Sequence, residues 1–167
     1  MNKNLLYRIV LADDHALVRQ GIRKIIEEDS SLKVVGEAGD GMELLEILKT
    51  SLPDLVIVDI AMPRLRGLEA TKRIKHLYPQ VKVMILSMHR SKEYLRQAVA
   101  VGVSGYLLKE DADTALHTAI MAVRDGKEFF SPLLAIYPPF PCSPNPGRQP
   151  GEPVFLAQAA NRGQPPE

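Results

Sequence analysis

Five polar residues in this sequence share one feature: each comes at or just after the end of a short apolar run. Asp13 and Asp14 follow LYRIVLA, Asp59 ends LVIVD, Ser87 ends VMILS and Lys109 follows GYLL. Taken singly, each has an ordinary explanation. An Asp pair after a strand serves as a turn or helix cap, and a strand-terminal Asp starts a loop. A lone Lys is a solvated charge, and a lone Ser carries no signal. The pattern gains meaning if the apolar runs are parallel strands. Their carboxyl ends then lie along one edge of a sheet, where ligands bind. Three carboxylates gathered there repel one another and disfavour their own ionised state. A divalent cation relieves that repulsion. Hard oxygen ligands suit Mg2+, which keeps several waters and takes few protein carboxylates. With an ammonium and a hydroxyl on the other side, such a pocket is suited to a phosphoryl group.

The elements that must position these residues can be read from periodicity. Apolar, β-branched runs occur at Arg8–Ala12, Lys33–Ala38, Leu55–Asp59, Lys82–Ser87 and Gly105–Leu108. Between them apolar residues recur at helical spacing. Val18, Ile22, Ile25 and Ile26 form one stripe, Leu44, Leu45 and Leu48 a second, and Leu68, Thr71, Ile74 and Tyr78 a third. Leu95, Ala98 and Val99 mark a fourth helix, and Ala112, Leu116, Ala119, Ile120 and Val123 a fifth. Strands alternating with helices of this length imply repeated βαβ units. Continuous runs such as LVIV and VMIL fit strands buried on both faces. The expected fold is α/β: a flavodoxin-like, doubly wound, five-stranded parallel sheet of order 2-1-3-4-5 with five helices.

Composition narrows the class further. The chain has 167 residues, 46% of them hydrophobic, enough for one sizeable core. Lys and Arg number 21 against 20 Asp and Glu, so the net charge of +1 predicts neither non-specific nucleic-acid binding nor attraction to an anionic membrane. No run reaches the roughly 18 apolar residues of a spanning helix, and MNKNLLYRIV lacks the apolar core of a secretory signal. Cys142 is the single cysteine, so no internal disulfide can form, which fits a reducing, cytoplasmic setting. Ten of the 13 prolines lie at or after Pro132. Proline removes backbone donors, so residues 131–167 are expected to form a disordered, Pro-rich tail, with one domain over 5–130. His15 reads as a helix-start residue. His76, His89 and His117 share no metal-ligand spacing, and Met84, Met88 and Met121 read as core filling.

With these motifs in order, the sequence resembles the receiver domain of bacterial two-component response regulators, of the NarL/FixJ type. The resemblance runs over roughly residues 7–133. It is carried by VLADDHALVRQGIRKII, PDLVIVDIAMPRLRGLEA, VMILSMHR and GVSGYLLKEDADTALHTAI. It implies that Asp59 is the phosphoacceptor, phosphorylated from a phosphohistidine on a sensor histidine kinase. It implies Mg2+ as cofactor, bound directly by Asp14, through water by Asp13, and also by Asp59 and the backbone carbonyl of Ala61. Lys109 and Ser87 would contact phosphoryl oxygens, and Tyr106 would swing inward as Ser87 moves. Pro63 would stiffen the loop after the acceptor, and Gly67 would permit the turn into the next helix. The domain would catalyse only its own phosphotransfer and dephosphorylation, and would form a homodimer on phosphorylation.

The resemblance fades after GKEFFSPLL, where regulators of this type continue into a DNA-binding helix-turn-helix. The segment that follows carries only Arg148 and Arg162 as cations, too few for the phosphate contacts of DNA affinity. Its composition resembles a truncated or out-of-frame product, and DNA binding is not expected of this chain alone. Two other functions fit less of the pattern. One is a stand-alone receiver acting as a phosphate sink or protein adaptor. The other is a small flavodoxin-like enzyme, disfavoured because ADDHA offers no Gly-rich phosphate cradle.

Overall fold

Side chains alternate across each strand, and this alternation sorts the apolar residues into two cores. In a computed structural model, which describes residues 5–131 and Leu134, the strands are β1 (Tyr7–Ala12), β2 (Leu32–Ala38), β3 (Leu55–Asp59), β4 (Lys82–Ser87), β5 (Gly105–Leu108) and β6 (Phe129–Phe130). The helices are α1 (Ala16–Glu27), α2 (Gly41–Thr50), α3 (Gly67–Leu77), α4 (Lys92–Ala100) and α5 (Ala112–Arg124). Val10, Val56, Val58, Val83 and Ile85 point to one face, against Leu44 and Leu48 of α2, Ile74 of α3 and Leu95 of α4. Ile9, Leu11, Ile57, Met84 and Leu86 point to the other, against Ile22 and Ile26 of α1 and Leu116 and Ile120 of α5. Helices therefore cover both faces, as right-handed crossovers require. Each fully buried Leu, Ile or Val here contributes about 1.5–3 kcal/mol relative to exposure.

The sheet order is β2-β1-β3-β4-β5-β6, with every neighbouring pair parallel. This is the expected 2-1-3-4-5 order with a sixth strand added beyond β5. At two residues, β6 is too short to register as an alternating pattern. Gly105 makes room for it: a Cβ there would lie 3.0 Å from the carbonyl oxygen of Phe129. The register fixes the working edge. Ala12 pairs with Val58, so Asp13 and Asp59 stand side by side at adjacent strand ends. Ser87 pairs with Leu108, which places Lys109 one residue further on.

Beyond β6 the chain remains fastened to β5. The Ser131 backbone N–H donates to the carbonyl of Tyr106 at 2.9 Å. Its hydroxyl accepts from the Leu108 N–H, also at 2.9 Å, and the residue is fully buried. Leu134 is buried in the core formed with α2, α3 and α4. The expected disorder of the Pro-rich segment otherwise falls outside the described residues. Among the described residues, no helix is long and apolar enough to cross a membrane. Replacing Ser131 with Ala strands the Leu108 N–H without its acceptor, so Ser131→Ala should destabilise the fold by about 1–3 kcal/mol in urea titration. A loss below about 0.5 kcal/mol would show that this donor finds another partner.

Candidate functional site

The site begins with backbone placement. β3 is buried along its whole length, so its last residue is carried below the surface, and Asp59 is 3% exposed. Asp13 is held in register by its N–H, which donates to the Ala38 carbonyl at 3.0 Å, and it too is 3% exposed. The Arg19 guanidinium donates to the Asp13 carbonyl. Lys109 opens a short 3-10 turn (Lys109–Asp111) after β5. Its ammonium lies 2.6 Å from Asp13 Oδ2 and 3.3 Å from Asp59 Oδ2, with the side chain 8% exposed. Asp14 forms the outer wall and is partly open to solvent.

The loop after Asp59 folds back on it. At Gly67 a Cβ would lie 2.0 Å from the Asp59 carbonyl oxygen, so only glycine lets α3 start this close to β3. The Gly67 N–H donates to the Ile60 carbonyl at 3.1 Å. Arg64 adopts φ 61°, in the left-handed region, while its guanidinium pairs with Asp40 at 2.9 Å. Asp40 in turn caps α2 by accepting from the Met42 and Glu43 N–H groups. The folded loop brings the Ala61 N–H to the Asp59 carboxylate as a donor. A cavity of about 510 Å3 opens here, with Asp14, Ala61, Met62, Arg66 and Lys72 in its lining.

Charge is unbalanced in this pocket. Burial pushes the Asp59 carboxyl above its ordinary range; the nearby Asp13 carboxylate adds to the rise, and Lys109 and the Ala61 N–H oppose it. One ammonium faces three carboxylates. Asp13 Oδ2 is buried and pairs with the Lys109 ammonium at 2.6 Å. Single ligand atoms from Asp13, Asp14, His15 and Asp59 lie within 4.8 Å of one another, a grouping able to hold a metal ion. Net negative charge and clustered oxygen donors fit a hard divalent cation such as Mg2+.

Ser87 and Tyr106 form a second group along the same edge. The buried Ser87 hydroxyl accepts from the His89 N–H at 3.0 Å and is also a hydrogen-bonding neighbour of the Tyr106 phenol. Tyr106 is fully buried, its hydroxyl 3.4 Å from the His89 carbonyl. Burial raises its pKa, and the Ser87 hydrogen bond opposes the rise. Tyr106 thus already occupies an inward position, with Ser87 tied to the loop after β4.

Asp13, Asp14, Asp59 and Lys109 therefore meet in one pocket, and Ser87 and Tyr106 stand next to each other beside it. Two participants were not legible in the sequence reading. One is the Ala61 N–H, a main-chain donor that side-chain motifs do not reveal. The other is His15, whose side chain makes no cap hydrogen bond and instead faces the carboxylates. Its position directly after Asp13-Asp14 was the available signal.

A family model for the response regulator receiver domain matches residues 9–121, more than half of the chain. The chain belongs to the response-regulator receiver family. The receiver is 39% identical over 133 residues to the transcriptional regulatory protein DegU of Brevibacillus brevis, covering 79% of this chain and 56% of that protein. It is 35% identical over 130 residues to the response regulator UvrY of Escherichia coli, covering 78% and 60%. Among solved structures it is similar to the isolated receiver domain of RcsB from Salmonella enterica serovar Typhimurium, determined with the phosphomimetic BeF3−. That match has a TM-score of 0.74 at 30% identity and covers 78% of this chain and 96% of that one. The receiver domain of the putative response regulator NarL from Mycobacterium tuberculosis matches with a TM-score of 0.69 at 32% identity, covering 72% and 98%. The chain thus spans only about three fifths of the length of the curated regulators it matches.

The raised Asp59 pKa has a consequence for stability. Because the folded value lies above that of the unfolded chain, ionising Asp59 weakens the fold. The penalty is absent below the unfolded-chain value and complete once pH exceeds the raised folded value. Without divalent cations, Asp59→Asn should stabilise the receiver at neutral pH, because it removes the cost of ionising a buried carboxyl. Urea titrations across pH should show that gain shrinking as pH falls through the folded Asp59 value. A gain independent of pH would rule out burial of the charge as its source.

Proposed function

We propose that this receiver accepts a phosphoryl group on Asp59 from a phosphohistidine of a sensor kinase and relays that event to transcription. The observation that carries this reading is the placement of Asp59: buried, one of three clustered carboxylates, and 3.3 Å from the Lys109 ammonium. A carboxylate oxygen of Asp59 attacks phosphorus, the P–N bond breaks, and the histidine leaves as neutral imidazole once protonated. The product is an acyl phosphate on Asp59. Lys109, already between Asp13 and Asp59, follows the new negative charge and pairs with a phosphoryl oxygen. Asp13, Asp14, Asp59 and the Ala61 carbonyl would hold Mg2+, which supplies neutralisation of charge on the transferring group. The Ala61 N–H holds the Asp59 carboxylate in place throughout.

The acyl phosphate also offers the Ser87 hydroxyl a strong new acceptor. Turning toward it, Ser87 gives up its contacts with the His89 N–H and the Tyr106 phenol. That change biases the surface of α4, β5 and α5 between two arrangements. In this reading residues 5–130 form the receiver unit, which acts in the cytoplasm and catalyses only its own phosphotransfer and hydrolysis. DegU is named as a transcriptional regulatory protein, and RcsB has been solved as dimers bound to DNA. A phosphorylation-dependent homodimer and control of transcription are accordingly part of the proposal.

The test is intact-mass analysis after incubation with acetyl phosphate and Mg2+, followed by mapping of the modified residue. One phosphoryl group on Asp59 is expected in the native chain, none in Asp59→Asn, and none after chelation of divalent cations. Undiminished labelling of the Asn variant would overturn the acceptor assignment, and labelling that survives chelation would overturn the role of the metal.

A further inference from the structure

His15 turns its side chain toward the carboxylate pocket and not toward the helix it precedes. Its backbone stands at the N-cap of α1 in an extended conformation, yet the side chain caps nothing. The ring is 64% exposed, so the core does not force it inward. Even so, Nδ1 lies 3.2 Å from Asp13 Oδ1 and 3.1 Å from Asp14 Oδ1. The His15 N–H also donates to Asp13 Oδ1, at 2.8 Å. The two oxygens of Asp13 are thereby divided between partners: Oδ1 faces His15, while the buried Oδ2 pairs with the Lys109 ammonium.

We infer that His15 supplies a nitrogen ligand to the carboxylate pocket, so that the site binds first-row transition dications through imidazole as well as Mg2+ through oxygen alone. This rests on the reading of the pocket as a cation site. Mg2+ holds its water and prefers hard oxygen donors, and gains little from an imidazole. Ions such as Fe2+, Co2+ and Zn2+ bind imidazole well, and their affinity for a mixed nitrogen and oxygen site exceeds that of Mn2+. A metal-bound imidazole of this kind presents the Nδ1 lone pair to the ion and carries its ring proton on Nε2. The distances allow this, since His15 already belongs to the group whose ligand atoms lie within 4.8 Å of one another. His15 thus adjusts which ion occupies the pocket, while the acceptor chemistry stays with Asp59.

The probes are Co2+ and Mg2+, each titrated alone by calorimetry into the native chain, His15→Ala and His15→Asn. Proton NMR of the Co2+ forms reads coordination directly, because a ligated imidazole gives strongly displaced ring-proton signals. The native chain is expected to show such signals and both variants to lose them. Each variant should bind Co2+ roughly tenfold more weakly, the scale on which ligand-sphere changes act, with Mg2+ affinity unchanged within about twofold. Equal weakening for both ions, or Co2+ affinity retained in His15→Asn, would overturn the inference and leave His15 as a residue that merely orients carboxylates. If the native chain binds neither ion, the cation site itself fails, a separate result from the loss of His15 ligation alone. Far-UV circular dichroism of both variants confirms that the fold persists.

Discussion

Three carboxylates share one pocket with a single ammonium, and most of the structure exists to keep them there. Left to themselves, buried anions at this spacing would swing to solvent or take up protons. Here they cannot move far. Asp59 is fixed to the end of a strand buried on both faces, and Asp13 is pinned through its own N–H and carbonyl to Ala38 and Arg19. The residual negative charge is a standing invitation to a cation, and a cation beside a carboxylate suits a phosphoryl group. The raised Asp59 pKa, driven by burial and by the Asp13 carboxylate, expresses the same imbalance.

Holding such a site in place requires a rigid support. The apolar faces of β1, β3 and β4 are clamped between two layers of helices, so a shift of any strand end would open voids in both cores. The loop between β3 and α3 is equally constrained. Gly67 allows α3 to rest on the Asp59 main chain, and the left-handed Arg64 is anchored to the residue that caps α2. Fold stability and site geometry are therefore the same problem: burying the strands that carry the carboxylates also holds the carboxylates together.

The pocket is connected to the far edge of the sheet through few atoms. Ser87 ends the strand next to Asp59, and its hydroxyl meets the Tyr106 phenol across β4 and β5. The carbonyl of Tyr106 and the N–H of Leu108 are in turn held by Ser131. The chain therefore leaves the receiver through hydrogen bonds to the same strand that carries Tyr106 and presents Lys109. A movement of β5 at the site would be felt directly by Ser131.

The strand and helix pattern was legible in the sequence because buried parallel strands and amphipathic helices leave opposite periodicities, and these run cleanly from Tyr7 to Val123. Four of the charged site residues were legible for a related reason: each stands where an apolar run stops. β6 escaped notice because two phenylalanines carry no period, and Ser131 because a buried serine looks like any other serine. The Ala61 N–H could not be read at all, and the place of His15 after two aspartates did not settle its orientation. Main-chain donors have no residue type, and a histidine after two aspartates can turn to solvent or to the carboxylates with equal ease in sequence terms. Periodicity depends only on neighbours along the chain, so the sequence by itself determined the elements and their polar ends. Contacts between those ends depend on register and loop path, and these only the tertiary structure decided.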